Sequence, residues 1–259
     1  MLVTFLSDFG LEDAFVGICH GVIKRIAPDS EIIDLTHGIA PRAVLQGALV
    51  LASALPYMPV GVHLAVVDPG VGGGRRALVL RGEDGRLHVG PDNGLLTRAA
   101  ERLGGVATAW ELTNRAYALE PVSATFHGRD VFAPAAAHLA SGLDPAELGP
   151  PVDSSTLVHV EVPVADIGES EIRAMVLAVD RFGNAQLNLE HLDLVSGARI
   201  EIEGRAALVA TTFADAAPGE LILYEDSAGF LAIAVTGGSA AEALGLGPGQ
   251  DVLIRILSD

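Results

Sequence analysis

The most informative segment for the architecture of this chain is Val62-His63-Leu64-Ala65-Val66-Val67-Asp68-Pro69-Gly70. Its first six residues form an almost unbroken apolar run of strand length, and a turn signal follows at once. Continuous rather than alternating apolarity is typical of a strand in a parallel sheet that is covered on both faces. The segment therefore predicts a buried strand that ends on a carboxylate, at the carboxyl edge of an α/β sheet.

The residues around this segment alternate between strand-like and helix-like patterns. We expect strands at 2–6, 31–35 and 62–67, and helices at 13–26, 41–54, 94–103 and 131–140. Pro41 suits the first turn of its helix. A hairpin is expected from strands at 76–80 and 87–90, because the turn Gly82-Glu83-Asp84-Gly85 separates them. The pattern predicts a layered α/β domain with a mainly parallel sheet over residues 1–150.

The second part of the chain has a different pattern. Residues 142–156 are rich in Gly, Pro, Asp and Ser, which predicts a linker. Beyond it, short β-type runs are expected at 158–162, 172–179, 185–189, 199–202, 206–210, 220–224, 230–235 and 252–256, with one short helix at 239–244. The sequence therefore predicts a smaller C-terminal all-β, barrel-like domain over residues 157–259.

Composition limits the classes of partner. The chain has 259 residues, is 50% hydrophobic and carries a formal charge of −17. A surface of that sign repels phosphate backbones and anionic lipid, so neither nucleic acid nor a membrane is expected as a partner. The longest apolar region, 43–67, is too interrupted for a membrane span, and no targeting segment is expected. Cys19 is the only cysteine, which excludes an internal disulfide and fits a cytoplasmic protein.

Several common site motifs do not fit. Residues 72–77 formally match the GxGxxA pattern of dinucleotide folds, but that pattern needs a following helix and residues 77–80 indicate a strand. No Walker Lys-Ser/Thr pair and no GxSxG serine-hydrolase elbow occur. The eight histidines form no HxH or HExxH pair. We therefore expect neither a metal nor a cofactor.

Polar side chains near element ends suggest a different chemistry. Asp68, Arg75 and His127 offer a carboxylate, a fixed cation and an imidazole, which together could polarise a water molecule without a metal or covalent nucleophile. In the alternative without catalysis, Asp68 is a turn residue, Arg75 forms an ordinary ion pair and His127 is a hydrogen-bonded structural histidine. Asp8 follows the first predicted strand and could accept both hydroxyls of a ribose or cap the next helix. The segment Pro91-Asp92-Asn93-Gly94 indicates a turn plus a cap.

Five motifs occur in one characteristic order. They are Ser7-Asp8-Phe9-Gly10, Val67-Asp68-Pro69-Gly70-Val71-Gly72 through Arg75-Arg76, Pro91-Asp92-Asn93-Gly94, His127-Gly128-Arg129-Asp130 and Arg181-Phe182-Gly183-Asn184. Each is weak alone, but the series closely resembles the S-adenosylmethionine hydrolases, also called SAM hydroxide adenosyltransferases, which are relatives of fluorinase. The match runs from residue 2 to about residue 253 and so covers both predicted domains.

The resemblance implies hydrolysis of S-adenosyl-L-methionine (SAM) to adenosine and L-methionine, by attack of water-derived hydroxide on C5′, with the (R)-sulfonium epimer as a candidate preferred substrate. It implies that Asp68, Arg75 and His127 form the water-activating triad, with the neighbouring Arg76 as the alternative to Arg75. The implied substrate-binding residues are Asp8, Asp13, Phe126, Asp180, Phe182, Asn184, Phe213 and Ser227. It also implies a homotrimer whose active sites lie between the N-terminal domain of one subunit and the C-terminal domain of its neighbour.

Two other functions compete with this interpretation. One is a SAM-dependent, halogenase-type displacement, against which Asp68 argues because a carboxylate would repel a halide where fluorinase has an uncharged tyrosine. The other is a non-catalytic protein that binds adenosine or SAM, against which the complete triad argues. The resemblance also has departures: Ala228 and Val235 stand where fluorinase carries arginines, and Arg42 and Gln186 stand where it carries tryptophans.

Overall fold

A computed structural model describes residues 1–192 and 195–257 of the chain. It divides into two compact units, Met1–Glu161 and Val162–Asp259, where the sequence predicted domains at 1–150 and 157–259. Within the described residues, none of the helices has the length and apolar character that crossing a membrane requires.

The first unit combines one sheet with four α-helices. Its elements are β1 Leu2–Ser7, α1 Phe15–Ile26, β2 Glu31–Thr36, α2 Val44–Ala54, β3 Val62–Val66, β4 Ala77–Gly82, β5 Leu87–Pro91, α3 Leu95–Glu101, β6 Val106–Glu111, α4 Ala133–Ala140 and β7 Pro151–Val152. The strand order is β2-β1-β3-β5-β4-β6-β7. In this order the strands β2, β1, β3 and β5 are parallel to one another. The remaining neighbours, β5 with β4, β4 with β6 and β6 with β7, pair antiparallel. The predicted α/β class is confirmed.

Helices cover both faces of this sheet. Val3 and Phe5 of β1 belong to the core that contains α1 and α4, whereas Leu6 belongs to the core that contains α2 and α3. Since successive side chains of a strand point to opposite faces, one strand feeds both cores and must be apolar almost throughout. This is the physical reason for the continuous apolar runs in the sequence.

The sheet order brings two strand ends together. β1 lies between β2 and β3, and Ser7 at the end of β1 pairs with Val66 at the end of β3. In parallel α/β sheets, ligands bind in the crevice outside the carboxyl ends where connections leave a strand toward opposite sides. The loops that carry Asp8 and Asp68 both start at this edge.

The second unit is a closed β-barrel with one short helix. Its elements are β8 Asp166–Ile167, β9 Glu171–Val179, β10 Ala185–Leu187, β11 Arg199–Ile202, β12 Arg205–Val209, β13 Leu221–Glu225, β14 Leu231–Val235, α5 Ala240–Leu244 and β15 Asp251–Ile256. The order β10-β14-β13-β12-β11-β15-β9 closes because β9 also pairs with β10, and β8 extends from β9. The predicted barrel-like C-terminal domain is confirmed.

Three local predictions are wrong. The second helix begins at Val44 rather than at Pro41, because Arg42 has a φ of 68°, which a right-handed helix does not allow. The predicted linker at 142–156 contains short 3-10 turns and β7, which pairs with β6 at the sheet edge. The predicted strand at 158–162 does not form. Val158 bonds instead to the side chains of Asp92 and Thr97, through its N–H and its carbonyl.

Two histidines lie inside the first core. His63 of β3 and His88 of β5 are fully buried, with ring centroids 5.5 Å apart. Nδ1 of His63 is 2.8 Å from Oγ1 of Thr4, but Nε2 of His63 and both ring nitrogens of His88 have no hydrogen-bond partner among the described residues. Burial is the main cause that lowers the pKa of His63 to about 3 and that of His88 to about 4. Both rings are therefore neutral at pH 7.

Candidate active site

A carboxylate and a guanidinium meet just beyond the end of β3. Nε of Arg75 donates to Oδ1 and Oδ2 of Asp68 at 2.9 and 3.1 Å, and Nη2 of Arg75 also donates to Oδ2. The side chains of Arg75 and Asp68 are only 12% and 6% exposed. This forked contact fixes both planes and compensates two charges that burial would otherwise penalise.

The same guanidinium reaches an imidazole. Nη2 of Arg75 lies 2.9 Å from Nδ1 of His127. Because a guanidinium only donates, Nδ1 of His127 accepts, and the proton of the neutral ring is on Nε2. Burial first, and then the charge of Arg75, lower the pKa of His127 below its ordinary value. The structure thus joins three of the predicted residues in one hydrogen-bonded set, called here the Asp68–Arg75–His127 group.

Glycines allow the two loops of this group to approach each other. Gly72 has a φ of 73°, and a Cβ there would lie 2.1 Å from the carbonyl oxygen of Ala124. A Cβ at Gly70 would lie 3.1 Å from Cγ of Arg75. Only a residue without a side chain fits against Ala124, so Gly72 serves close backbone packing. The loop leads into the strand β4, as predicted, and not into the helix that the dinucleotide pattern requires.

A π-helical turn, Gly128–Phe132, follows His127 directly and leads into α4. Within it, Asp130 is buried, pairs with Arg129 and accepts the N–H of Ser123 at 2.8 Å. The ring of Phe132 lies 5.1 Å from the guanidinium carbon of Arg75. Single π-helical turns are rare and occur frequently at functional sites.

The adjacent arginines have different partners. Nε of Arg76 donates to Oδ2 of Asp92 at 2.7 Å, and its two terminal nitrogens donate to the hydroxyl and carbonyl oxygens of Thr156 at 3.0 and 2.6 Å. Neighbouring side chains of an extended segment point to opposite sides. The structure therefore selects Arg75, and not Arg76, as the arginine that contacts Asp68.

Asp8 follows β1 at the same edge of the sheet. Its Oδ2 accepts the backbone N–H of Arg42 at 2.8 Å, and the N–H of Gly10 donates to the carbonyl of His37 at 2.9 Å. The N-cap residue of α1 is Ala14, without a side-chain hydrogen bond, so the alternative role of Asp8 as a helix cap is wrong. The role in ribose binding stays a prediction.

The other two predicted residues of the first unit lie near this loop. Phe126 packs edge-on against Phe9 and Phe15, with ring centroids 5.8 and 5.1 Å away. A Cβ at Gly128 would lie 2.8 Å from the ring of Phe9, so a side chain after His127 would collide with this ring. Asp13 is exposed in the turn before α1. Contact of Phe126 and Asp13 with a substrate stays a prediction.

In the second unit, Asp180 organises the loop after β9. Its Oδ1 accepts the N–H groups of Phe182 and Asn184 at 2.8 and 2.9 Å, and its Oδ2 accepts from Nδ2 of Asn184 at 2.7 Å. Gly183 closes the loop with a φ of 82°. The ring of Phe182 is 78% exposed. An exposed aromatic ring on a fixed loop is able to stack on a planar ligand. Contact of Asp180, Phe182 and Asn184 with a substrate stays a prediction.

Phe213 and Ser227 belong to two further loops of the second unit. Phe213 opens the 3-10 turn Phe213–Asp215 and lies with its ring centroid 5.0 Å from that of Tyr224. Ser227 is exposed in the turn after β13, which Asp226 holds by accepting the N–H groups of Ala228 and Phe230. Their contacts with a substrate stay predictions.

Sequence reasoning did not find every residue that supports the group. The turn predicted at 91–94 forms, but the N-cap residue of α3 is Gly94 without a side-chain hydrogen bond, so the predicted side-chain cap is wrong. Asn93 instead accepts the N–H of Leu95 with its Oδ1, at 3.2 Å, in the turn before the helix. Its Nδ2 also donates to the carbonyl of Val67 at 2.8 Å, which holds the residue directly before Asp68. This second contact joins residues 26 positions apart, so no local pattern could indicate it.

Comparisons with known proteins agree over both units. The family models of the SAM hydroxide adenosyltransferase N-terminal and C-terminal domains match residues 3–149 and 174–253. An (R)-S-adenosyl-L-methionine hydrolase of Salinispora tropica is 51% identical over 255 residues, which cover 96% of this chain and 95% of that protein. A fluorinase of an Actinoplanes species is 26% identical, covering 98% of this chain and 97% of that protein. The crystal structure of a conserved protein from Thermotoga maritima has a TM-score of 0.88 at 38% identity, covering 97% and 99% of the two chains.

Proposed function

This chain belongs to the SAM hydroxide adenosyltransferase family, and we propose that it hydrolyses S-adenosyl-L-methionine to adenosine and L-methionine. The observation that carries the proposal is the Asp68–Arg75–His127 group. It presents a carboxylate and a neutral imidazole on one guanidinium, just beyond the carboxyl end of a parallel strand. That is the edge at which ligands bind in this class of sheet.

The proposed reaction needs one base and no acid. Oxygen of a water molecule forms a bond to C5′ while the bond from C5′ to sulfur breaks, and the electron pair leaves on sulfur. The leaving group is a neutral thioether, so it needs no proton, unlike the leaving group in glycoside hydrolysis. The only proton to be removed comes from the attacking water. We therefore include no metal and no other cofactor in the proposal.

The hydrogen-bond directions favour Asp68 as the proton acceptor. Nδ1 of His127 accepts from Arg75 and Nε2 carries the ring proton, so the ring has no lone pair left for a proton from water. Oδ1 of Asp68 accepts only from Nε of Arg75 among the described residues, so it keeps a further lone pair for a proton from water. We assign the proton transfer to Asp68 and the orientation of the water to the Nε2–H of His127. Arg75 stabilises the negative charge that develops on the water oxygen.

Burial of the group favours this displacement. Hydroxide and sulfonium neutralise each other as the new bond forms, so the transition state is less charged than the reactants. A site without bulk water therefore raises the free energy of the reactants more than that of the transition state, and binding of the nucleoside and methionine ends must compensate. We propose that Asp8 holds the ribose. The remaining proposed contacts are Asp13, Phe126, Asp180, Phe182, Asn184, Phe213 and Ser227.

Product analysis in oxygen-18 water tests the function. The protein is incubated with each sulfonium epimer separately, with Asp68→Ala protein as the control for spontaneous breakdown. We expect adenosine labelled at the 5′-hydroxyl, unlabelled methionine, and faster turnover of the (R) epimer. A 5′-halo nucleoside formed with added chloride or fluoride would support the halogenase alternative. Binding without turnover would support the non-catalytic alternative.

We also propose a homotrimer located in the cytoplasm. The trimer follows from the family resemblance, and the location agrees with a single cysteine and a charge of −17. Sedimentation velocity of the intact protein should give a species of three chains. A fully active monomer would contradict the trimer, and recovery in a non-cytoplasmic cell fraction would contradict the location.

A further inference from the structure

Three side chains that can bind a metal ion meet in the first unit, and no metal-binding motif in the sequence indicated them. His20 comes from α1, Asp34 from β2 and His37 from the loop after β2. Their ligand atoms all lie within 4.8 Å of one another. Nε2 of His20 lies 2.9 Å, and Nε2 of His37 3.1 Å, from Oδ1 of Asp34. We propose that this cluster binds one divalent transition-metal ion, with Zn²⁺ preferred.

His37 directs an unpartnered nitrogen into the cluster. Its side chain is 3% exposed, and among the residues that the structure describes its Nε2 has no hydrogen-bond partner, although Oδ1 of Asp34 is only 3.1 Å away. The two atoms are therefore close without being aligned as donor and acceptor. A buried polar atom without a partner is costly. Two ligand atoms that bind one metal ion lie close together in this way, because each points at the ion and not at the other atom. A bound ion would also give Nε2 of His37 a partner and so remove the cost of burying it unpaired.

The other ring nitrogen of His37 has a suitable partner. Nδ1 lies 2.7 Å from Oγ of Ser7, which is fully buried at the end of β1. When Nδ1 donates to Ser7, the lone pair on Nε2 is free for a metal, and ligating histidines in proteins are commonly held this way. Phe5 packs against both rings, with centroids 4.7 Å from His37 and 6.0 Å from His20, and so fixes their orientation.

The distances and the ligand types select the ion. At metal–ligand bonds of about 2.0–2.2 Å, neighbouring ligand atoms lie about 3 to 3.5 Å apart. Both separations from Asp34 need to change by only a few tenths of an ångström to reach that range. Two imidazoles and one carboxylate suit Zn²⁺ and its transition-metal neighbours better than Mg²⁺ or Ca²⁺, which prefer oxygen ligands. His20 and Asp34 are 32% and 40% exposed, so water has access to a fourth position.

A metal here would act on the structure beside the candidate active site. It would join α1 to β2 and, through His37 and Ser7, to the end of β1 that carries Asp8. None of the three ligands belongs to the Asp68–Arg75–His127 group. The metal proposal is therefore independent of the proposed hydrolysis, and either can fail without the other.

The test is zinc titration of the intact, chelator-treated protein by isothermal calorimetry, together with its thermal midpoint. We expect one ion per chain and a midpoint that rises with zinc concentration. His20→Ala and Asp34→Ala, both at partly exposed positions, should each weaken binding by at least about 100-fold and abolish the rise of the midpoint. X-ray absorption of the zinc-loaded protein should show two imidazole ligands.

Matched controls separate this site from other histidine–carboxylate contacts. His159 lies 2.8 Å from Glu101 but belongs to no three-ligand cluster found among the described residues, so His159→Ala should leave zinc affinity unchanged. His127→Gln should also leave it unchanged. The proposal is overturned if wild-type protein binds no zinc at micromolar concentration. It is equally overturned if His20→Ala and Asp34→Ala, shown to be folded by circular dichroism, retain wild-type affinity.

Discussion

Two adjacent arginines each hold a buried aspartate, but the two pairs have different surroundings. Arg75 makes a forked contact with Asp68, and Arg76 contacts Asp92. Both aspartates are almost fully buried, at 6% and 3% side-chain exposure. By charge and by the burial of the aspartate alone, the two ion pairs could not be told apart.

The third partner makes the difference. Arg75 also contacts the ring of His127, an imidazole that can take up a proton when the pH falls. Arg76 also contacts the hydroxyl and carbonyl of Thr156, which do not titrate. Protonation of His127 would change the contacts of Arg75, whereas the contacts of Arg76 only hold the segment after β7 in place. An arginine–aspartate pair is therefore evidence of chemistry only together with what surrounds it.

The largest difference between the pairs should appear when each aspartate loses its charge. We expect Asp68→Asn to lower kcat by about 1,000-fold, because the amide keeps the size of the side chain but cannot take a proton from water. The measurement is adenosine release at saturating SAM. Asp92→Asn is the matched control. It should lower the free energy of unfolding by about 2 kcal/mol through weakened hydrogen bonds to Arg76, with kcat nearly unchanged. Equal losses of kcat in both variants would remove the distinction.

Exchange of each arginine for lysine should give a smaller effect of the same kind. Arg75→Lys should reduce kcat/KM by about 100-fold, because one ammonium group cannot hold Asp68 and His127 together in the geometry of a guanidinium. Arg76→Lys should leave kcat/KM nearly unchanged and reduce the free energy of unfolding by about 1 kcal/mol. Steady-state kinetics and urea denaturation of both proteins give the comparison. A large kinetic effect of Arg76→Lys would contradict the assignment.

The pH dependence of the rate tests the contact between Arg75 and His127. The neutral ring accepts a hydrogen bond from Arg75, whereas a protonated ring would set two cations against each other. Because burial and Arg75 lower the pKa of His127 from 6.5, kcat/KM should stay level as pH falls through 6.5 and decline only below it. The decline should approach about tenfold per pH unit. A decline that begins well above pH 6.5 would contradict a neutral, Arg75-bound ring.

Loss of folding at low pH must be measured beside that profile. His63 and His88 are neutral when folded, with pKa values of about 3 and 4, and become protonated near 6.5 when unfolded. The unfolded chain therefore binds more protons below pH 6.5, and stability falls as pH falls toward 4. The slope is about 1.4 kcal/mol per pH unit for each histidine. Urea denaturation at each pH separates this loss from the change in rate.

The smallest predicted effect concerns the partner of Arg76. Thr156→Val removes a hydroxyl that accepts from Arg76 but leaves the carbonyl contact, so stability should fall by about 1 kcal/mol without a change in kcat. Thr125→Val is the control, since Thr125 is exposed and its hydroxyl contacts that of Ser123 at 3.3 Å. That control should change stability by less than about 0.5 kcal/mol. A fall in kcat for Thr156→Val would link the second pair to the chemistry.

The errors of the sequence predictions lie where local composition misled. Proline is favoured in a first helical turn, but Arg42 takes a positive φ and its N–H donates to Asp8, so α2 begins at Val44. Gly, Pro and Asp suggested a linker at 142–156, yet β7 within it completes the edge of the sheet. β6 was not predicted at all, because its alternating small and polar residues give a weak apolar signal. In each case a distant partner decided the local conformation.

The sequence by itself determined the two-part α/β and β-barrel architecture, the family, and the loops that carry Asp68, Arg75 and His127. Apolar periodicity and glycine placement are local signals, because each residue must suit the face or turn it occupies. Only the tertiary structure decided between Arg75 and Arg76 and brought His20, Asp34 and His37 together. Those contacts depend on the order of strands in the sheet and on packing between elements. Side chains from different elements become neighbours only when the sheet has formed. Their spacing in the sequence therefore does not predict these contacts.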